Sequence, residues 1–278
     1  MGYQIRPGRH GDVASVTSWT ADTFAWGDYI PERLPRWLDD PDSVVLVSAD
    51  EEDRPVALAH VAMLSTTEGW IEGARVHPEH RRMGLGTELN HAGVQWARER
   101  GGRVMRLVTE EDNIAARNQV AALDYREVSP WVYAEFDVDP GHRAPEQFRL
   151  RPAPGSDADA AWLFWAASDL ARQGREMIAI GWQWRTARPR DVTASGELLQ
   201  SAAGWITIAQ TDPTRISARW MATTPDDLLP LLDGLLDLAA ERRVDELDIK
   251  LPDLGWTDEG VRRAGGRIDR MIVHSKPI

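Results

Sequence analysis

The chain of 278 residues contains no cysteine. That excludes disulfides, thiolate metal sites and a cysteine nucleophile. Lysine occurs only at Lys250 and Lys276, so thirty of the thirty-two basic residues are arginine, a bias we read as one of codon usage. No apolar run approaches the roughly 18 residues that span a bilayer. The opening residues MGYQIRPGRHGD hold no apolar signal core. A basic balance is missing as well. Net charge is −12, and phosphate contacts need a basic surface, so nucleic-acid binding is not expected. From these absences we expect a cytoplasmic protein with no membrane or nucleic-acid partner and no metal. An acidic surface can attract a cationic, amine-bearing substrate, although the same charge also serves solubility.

What is present is enough for a packed core, with 42% hydrophobic and 27% charged residues. The length accommodates two domains. Two stretches, IRPGRHGDVASV from Ile5 and LRPAPGSDADAAWL from Leu150, share one plan, with Asp12 and Asp157 at the same offset. Each reads as a short strand, a Pro/Gly turn, an Asp cap and a helix. The ends of the halves also correspond: WARERGGRVMRLVTEED resembles LAAERRVDELDIKLPD. DVDPGHRAPEQ is Pro/Gly-rich and polar and reads as the linker. The expected domains are 1–138 and 149–278, with a linker over 139–148.

Within the first half, alternation and β-branched content predict strands at 3–6, 44–49, 55–65, 70–76, 103–109 and 131–137. Helical spacing predicts a helix over about 12–24, another within WGDYIPERLPRWLDDP, one over 85–100 through Leu85, Leu89, Ala92 and Trp96, and one over 113–122. The order implies an α/β (α+β) mixed sheet with helices on both faces.

VHPEHRRMGLGTEL, from Val76 to Leu89, places two arginines and two glycines where a strand gives way to a helix. Glycine lets a backbone approach a ligand closely. The first turn of a helix offers unpaired N–H groups and partial positive charge. Such a run is a nest for a pyrophosphate. Arg81 and Arg82 add charge, and Thr87 adds a hydroxyl. The absence of Gly-Lys-Ser/Thr excludes a Walker loop, and two glycines after antiparallel strands do not fit the dinucleotide fingerprint.

The stretch resembles the acetyl-CoA loop of the GNAT N-acetyltransferases, Arg/Gln-x-x-Gly-x-Gly/Ala after a strand ending in Val-x-Pro. Here it reads ARVHP, then Arg81-Arg82-Met83-Gly84-Leu85-Gly86, with Asn113 and Ala116 following the next strand. The resemblance implies two tandem GNAT-like domains. It implies acetyl-CoA as acyl donor, with the pyrophosphate held by residues 82–87, that is Arg82, Met83, Gly84, Leu85, Gly86 and Thr87, and with Arg81 beside it. It implies pantetheine contacts from the backbone of Val76 and His77, and a contact from Asn113. The second half is expected to have lost this loop, because its counterpart, TTPDDLLP, has no glycine and two acids.

Transfer of an acetyl group to an amine requires the amine to lose a proton. Glu72 lies on the strand entering the loop, four residues before Val76, and alternation puts both on one face. It is the candidate base; its competitor is an ordinary salt-bridged strand glutamate. Glu110, with Glu111 and Asp112 at the next strand end, could bind an ammonium group or act as base, or simply form an acidic turn. The family often places a tyrosine proton donor seven residues after the Asn. Here that position is Val120, and the usual Gly-Phe is Asp124-Tyr125, so Tyr125 is expected to pack.

Asp28-Tyr29-Ile30-Pro31 and Trp37-Leu38-Asp39-Asp40-Pro41 resemble segments of the histidine N-acetyltransferase group. That resemblance implies an acceptor site at Asp28 and Tyr29 and a small-molecule amine, such as an amino acid, as substrate. The aromatic pair could instead anchor the loop. The rival function is a non-catalytic acyl-CoA-binding sensor. A homodimer is left open as the assembly.

Overall fold

The computed structural model describes residues 2–21, 23 and 27–278. The chain divides into two compact units that interleave in sequence. The first holds residues 1–107, 120–126 and 275–278; the second holds 108–119 and 127–274.

In the first unit, β1 (Gln4–Pro7) leads to α1 (Val13–Thr20) and α2 (Ile30–Asp39). The helix expected over 12–24 is seen to Thr20, and positions 22 and 24 lie outside the described residues. Strands β2 (Ser43–Ala49), β3 (Pro55–Met63) and β4 (Glu68–Val76) follow, then α3 (Leu85–Glu99) and β5 (Val104–Glu110). β3 ends two residues earlier than expected because Leu64 and Ser65 turn the chain, both donating backbone N–H to the Glu68 carbonyl. The sheet order is β1-β2-β3-β4-β5, antiparallel except for the parallel β4–β5 pair.

Strand alternation divides the apolar side chains between two layers. Leu46, Ala57, Ala59, Val61 and Ile71 pack with Leu85, Leu89 and Val94 of α3. Val45, Val47 and Leu58 pack on the other face with Val16, Ile30, Leu34 and Trp37 of α1 and α2. Gly93 permits close approach of α3, since a Cβ there would meet Val61 Cγ2 at 2.8 Å.

α4 (Ile114–Ala122) and β6 (Arg126–Asp137) come next in the chain. The second unit continues with β7 (Arg151–Pro152), α5 (Asp157–Ala166), α6 (Asp169–Gln173), a hairpin of β8 (Met177–Ile180) and β9 (Gln183–Thr186), and α7 (Asp191–Ala194). Then come β10 (Glu197–Ser201), β11 (Gly204–Asp212), β12 (Arg215–Ala222), α8 (Leu228–Glu241), β13 (Glu246–Pro252), α9 (Trp256–Arg263) and β14 (Arg267–Pro277). Its strand order is β14-β6-β13-β12-β11-β10-β7. β6, the last strand of the first half of the sequence, therefore pairs antiparallel with β13 of the second, from Trp131↔Pro252 to Asp137↔Glu246. The core of this unit is built from α8 leucines against Val132, Ala134, Phe136, Leu247, Ile249 and Leu251.

His274 of β14 is 1% exposed, and its Nε2 lies 2.9 Å from the Thr109 hydroxyl. Burial holds its pKa below the ordinary value, with the nearby Glu127 opposing and Arg117 reinforcing the shift. A histidine with a depressed folded pKa contributes stability above its unfolded pKa, about 6.5, and loses it as pH falls below that value. Thermal melts between pH 7.5 and 5 should therefore fall more steeply for the native chain than for His274→Gln. Parallel curves would show that His274 does not titrate on unfolding.

Candidate active site

The end of β4 does not continue the regular pleat. His60 pairs with Glu72, but Leu58 pairs with Arg75 and Ala57 with Val76, so one extra residue is inserted on β4. Gly73 carries the bend at φ +66°, and a Cβ there would lie 2.8 Å from Trp37 Cη2. The bulge reverses the side-chain alternation. Glu72 and Val76 lie on opposite faces, correcting the expectation that they share one: Val76 packs with the α3 layer, while Glu72 stays beside His60.

Glu72 Oε1 lies 3.1 Å from His60 Nδ1. The His60 ring stacks on Trp37 with centroids 4.3 Å apart, and its Nε2 is buried without a partner. Nearby, Asp28 is joined to Arg75 by two bonds, 2.7 and 3.2 Å, and its carboxylate is fully buried. Asp28 Oδ1 also accepts the N–H of Ile30. The Arg75 and Arg33 guanidinium groups each lie 5.2 Å from the Tyr29 ring centre. Burial pushes the Tyr29 hydroxyl pKa up, opposed by Arg75 and aided by the charge of Glu72.

β4 and β5 pair for only three residues, ending at Trp70↔Arg106. β4 then runs on to Val76, and its edge towards β5 is open. The His77 N–H goes to the Val56 carbonyl at 2.8 Å. A single 3-10 turn, Pro78–His80, follows. Arg82 and Gly84 both adopt left-handed backbone, at φ +64° and +82°. Gly84 caps α3 without a side-chain cap, and a Cβ there would meet nothing within 4 Å. The backbone N–H groups of residues 82–87 donate to no protein acceptor among the described residues. Arg81, Arg82, Met83 and Gly84 are exposed, and Leu85 is buried under the turn. The segment is a row of free amides with two cationic side chains, at the positive end of a 15-residue helix.

Residues 13–122 match the model of the acetyltransferase (GNAT) family. Over the full length the fold is that of tandem GNAT proteins. A GCN5-related N-acetyltransferase from Sphaerobacter thermophilus superposes with TM-score 0.68 at 18% identity, covering 99% of this chain and 95% of that one. A tandem GNAT protein from the clavulanic acid biosynthesis pathway superposes with TM-score 0.61 at 15% identity, covering 99% and 98%. A putative acetyltransferase from Pyrococcus horikoshii gives 0.61 at 16% identity, covering 100% and 90%. No curated protein matches the sequence.

The remaining residues of interest are more dispersed. Asn113 uses its side-chain oxygen to accept the Ala116 N–H at 3.0 Å and so starts α4. Glu110, Glu111 and Asp112 are exposed at the end of β5. Tyr125 packs in the core, 3% exposed, where its hydroxyl accepts from Asn90 and burial pushes its pKa up to about 12. Near the loop, His77, Glu79 and His80 offer metal-ligand atoms within 4.8 Å of one another. Both His Nδ1 atoms are already engaged, with the Glu79 N–H and the Tyr3 hydroxyl. The 3-10 turn brings the two rings together because residues three apart eclipse in that helix.

The second half closes the same turn. At the start of α8, the N–H groups of Asp227 and Leu228 both go to the Thr224 carbonyl, and the Thr224 hydroxyl holds Asp227 at 2.7 Å. No row of free amides is left there, and Asp226 and Asp227 add negative charge.

Sequence reasoning passed over His60 and Arg75. His60 is the one imidazole in an otherwise apolar strand, PVALAHVAM, and that contrast was its available signal. Arg75 followed a bulge that period-2 reading does not see. The Asp28–Arg75 pair is a buried ion pair, and removing one partner strands the other charge. Arg75→Met should lower stability by about 3–5 kcal/mol, and Asp28→Asn in the Arg75→Met background should restore part of that loss. Urea unfolding of both variants tests this; unchanged stability in Arg75→Met would mean that Asp28 finds another partner.

Proposed function

We propose that the chain is an acetyl-CoA-dependent N-acetyltransferase that acts on a primary amine of a small molecule, an amino acid or a similar amine, in the cytoplasm. The observation that carries this reading is the row of unpaired amides over residues 82–87, in the turn that follows the stretch of β4 left unpaired by β5. A pyrophosphate fits such a row, since each oxygen accepts what the helix end cannot satisfy internally. Arg81 and Arg82 add long-range attraction. The open edge of β4 up to Val76 suits the amide groups of a pantetheine arm; the backbone of His77, expected to share that contact, is already engaged, its N–H by the Val56 carbonyl and its carbonyl by the His80 N–H.

Glu72 takes the acceptor ammonium proton, and His60 is a positioning residue that fixes the carboxylate on the α2 face. The amine nitrogen then bonds to the thioester carbonyl carbon, the carbon–sulfur bond breaks, and the thiolate leaves. With Val120 at the position where the family often has tyrosine, the second proton of the nitrogen, shed as the amide forms, passes through water to the thiolate. Asp28 is neutralised by Arg75, so we assign it to holding that cation against Tyr29, whose ring shapes the acceptor side. In this reading 1–138 is the catalytic half, and 149–278, with its turn closed, takes no coenzyme.

Gly84→Glu should abolish acetyl-CoA binding in calorimetry, because a carboxylate would occupy the nest; undiminished affinity would remove the loop from the site. Glu72→Gln should lower turnover at neutral pH by about 10²-fold while leaving acetyl-CoA affinity near native. An unaltered rate would exclude Glu72 as base. Both need an acceptor, found by thiol release from acetyl-CoA against amino acids, polyamines and aminoglycosides. Val120 favours the second reading, an acyl-CoA sensor; tight acetyl-CoA binding with no release for any amine would support it.

A further inference from the structure

The second unit repeats the strand opening of the first but furnishes it differently. β12 and β13 pair in parallel over Arg215–Ala218 and Glu246–Ile249 and then part. In the gap lies a half-open cavity of about 30 Å³, lined by Arg219, Trp220 and Met221 of β12, Lys250, Leu251 and Pro252 of β13, Trp131 of β6, and apolar groups around Met177. That volume accommodates a carboxylate head group or one or two waters.

The polar groups of this cavity are donors. Lys250 is one of only two lysines in the chain. Its ammonium lies 4.5 Å from the Tyr133 ring centre and 4.7 Å from that of Trp182. One carboxylate faces it, Asp248 at 3.5 Å, and that group is shared with the Ser217 hydroxyl at 2.6 Å. Glu135, across the ladder, is engaged by the Tyr133 hydroxyl and by Arg215. Arg219 has no ion-pair or hydrogen-bond partner among the described residues. Two indoles of the lining, Trp131 and Trp220, are 3% and 4% exposed, and both carry buried N–H groups without an acceptor. Unpaired buried donors are costly, and two neighbouring cations repel. A monoanion that accepts hydrogen bonds and carries a short apolar tail would relieve both.

We propose that this cavity is a binding site for a small carboxylate with an apolar tail, its head group held by Arg219, Lys250 and the indole N–H groups. A pyrophosphate is a poor occupant, since Asp226 and Asp227 stand at the start of α8 in place of the amide nest. The site would make the second half a sensor or specificity element for an organic acid, separate from the acyl-CoA loop.

The test is calorimetry on the full chain with acetate, isobutyrate and 3-phenylpropionate, each against its neutral amide. We expect saturable binding of at least one acid, none of its amide, and at least a tenfold loss of affinity in Arg219→Met. Arg219→Met should also melt no lower than the native chain without ligand, because it removes a half-buried cation that repels Lys250; a structural arginine would do the opposite. Acetyl-CoA binding by the variant serves as the folding control. The proposal is overturned if no acid binds up to about 10 mM, if the amides bind equally well, or if Arg219→Met keeps native affinity.

Discussion

Two parallel strands that stop pairing part-way leave backbone groups that neither strand can satisfy, and most of what is functional here follows from that. β4 and β5 share three residue pairs before they separate, and β12 and β13 share four. Buried or half-buried peptide groups demand partners, so each opening must be met by side chains, by solvent or by a ligand. In the first unit the opening leads directly to the free amides at the start of α3. In the second it leads to a cavity rimmed by cations and indoles. One architectural device is thus furnished for two different chemistries.

The bulge at Gly73 is the second constraint. By inserting one residue it turns Val76 onto the α3 layer, while Glu72 keeps the regular register beside His60, on the face of Trp37 and Tyr29. A carboxylate on the α3 face would sit among leucines and valines. On the α2 face it gains an imidazole partner and a polar neighbourhood that Arg75 and Asp28 organise. The Trp37 ring enforces this arrangement, because it lies where any side chain at position 73 would need to go. The Glu72 side and the α3 side of β4 are in this way exchanged by one residue of backbone.

The closed turn of the second half shows how little sequence separates a nest from an ordinary helix start. Both turns precede long helices on equivalent strands. At α3, left-handed residues at 82 and 84 aim successive amides outward. At α8, Thr224 and Pro225 begin a tight turn in which the carbonyl of Thr224 collects two N–H groups and its hydroxyl braces Asp227. Local backbone geometry, more than helix polarity, decides which helix end is available to an anion.

The sequence by itself determined the element order, the tandem plan and the place of the glycine–arginine turn between β4 and α3. Period-2 and helical patterns are local, and glycine with arginine at a strand–helix junction has few other uses. It also marked Tyr125 as a packing residue and Val120 as a departure from the usual acid. What the tertiary structure decided was the facing of Val76 relative to Glu72, the pairing of Glu72 with His60, and the engagement of Asp28 by Arg75. These depend on a bulge that period-2 reasoning cannot register and on contacts between residues 12 and 47 positions apart. The pairing of β6 with β13 was likewise decided only in three dimensions, because alternation says which face a strand buries but not which strand it lies beside. The same holds for the cationic cavity, which Arg219 and Lys250 line together only because two strands, whose paired residues lie 31 apart in the chain, separate at the same level.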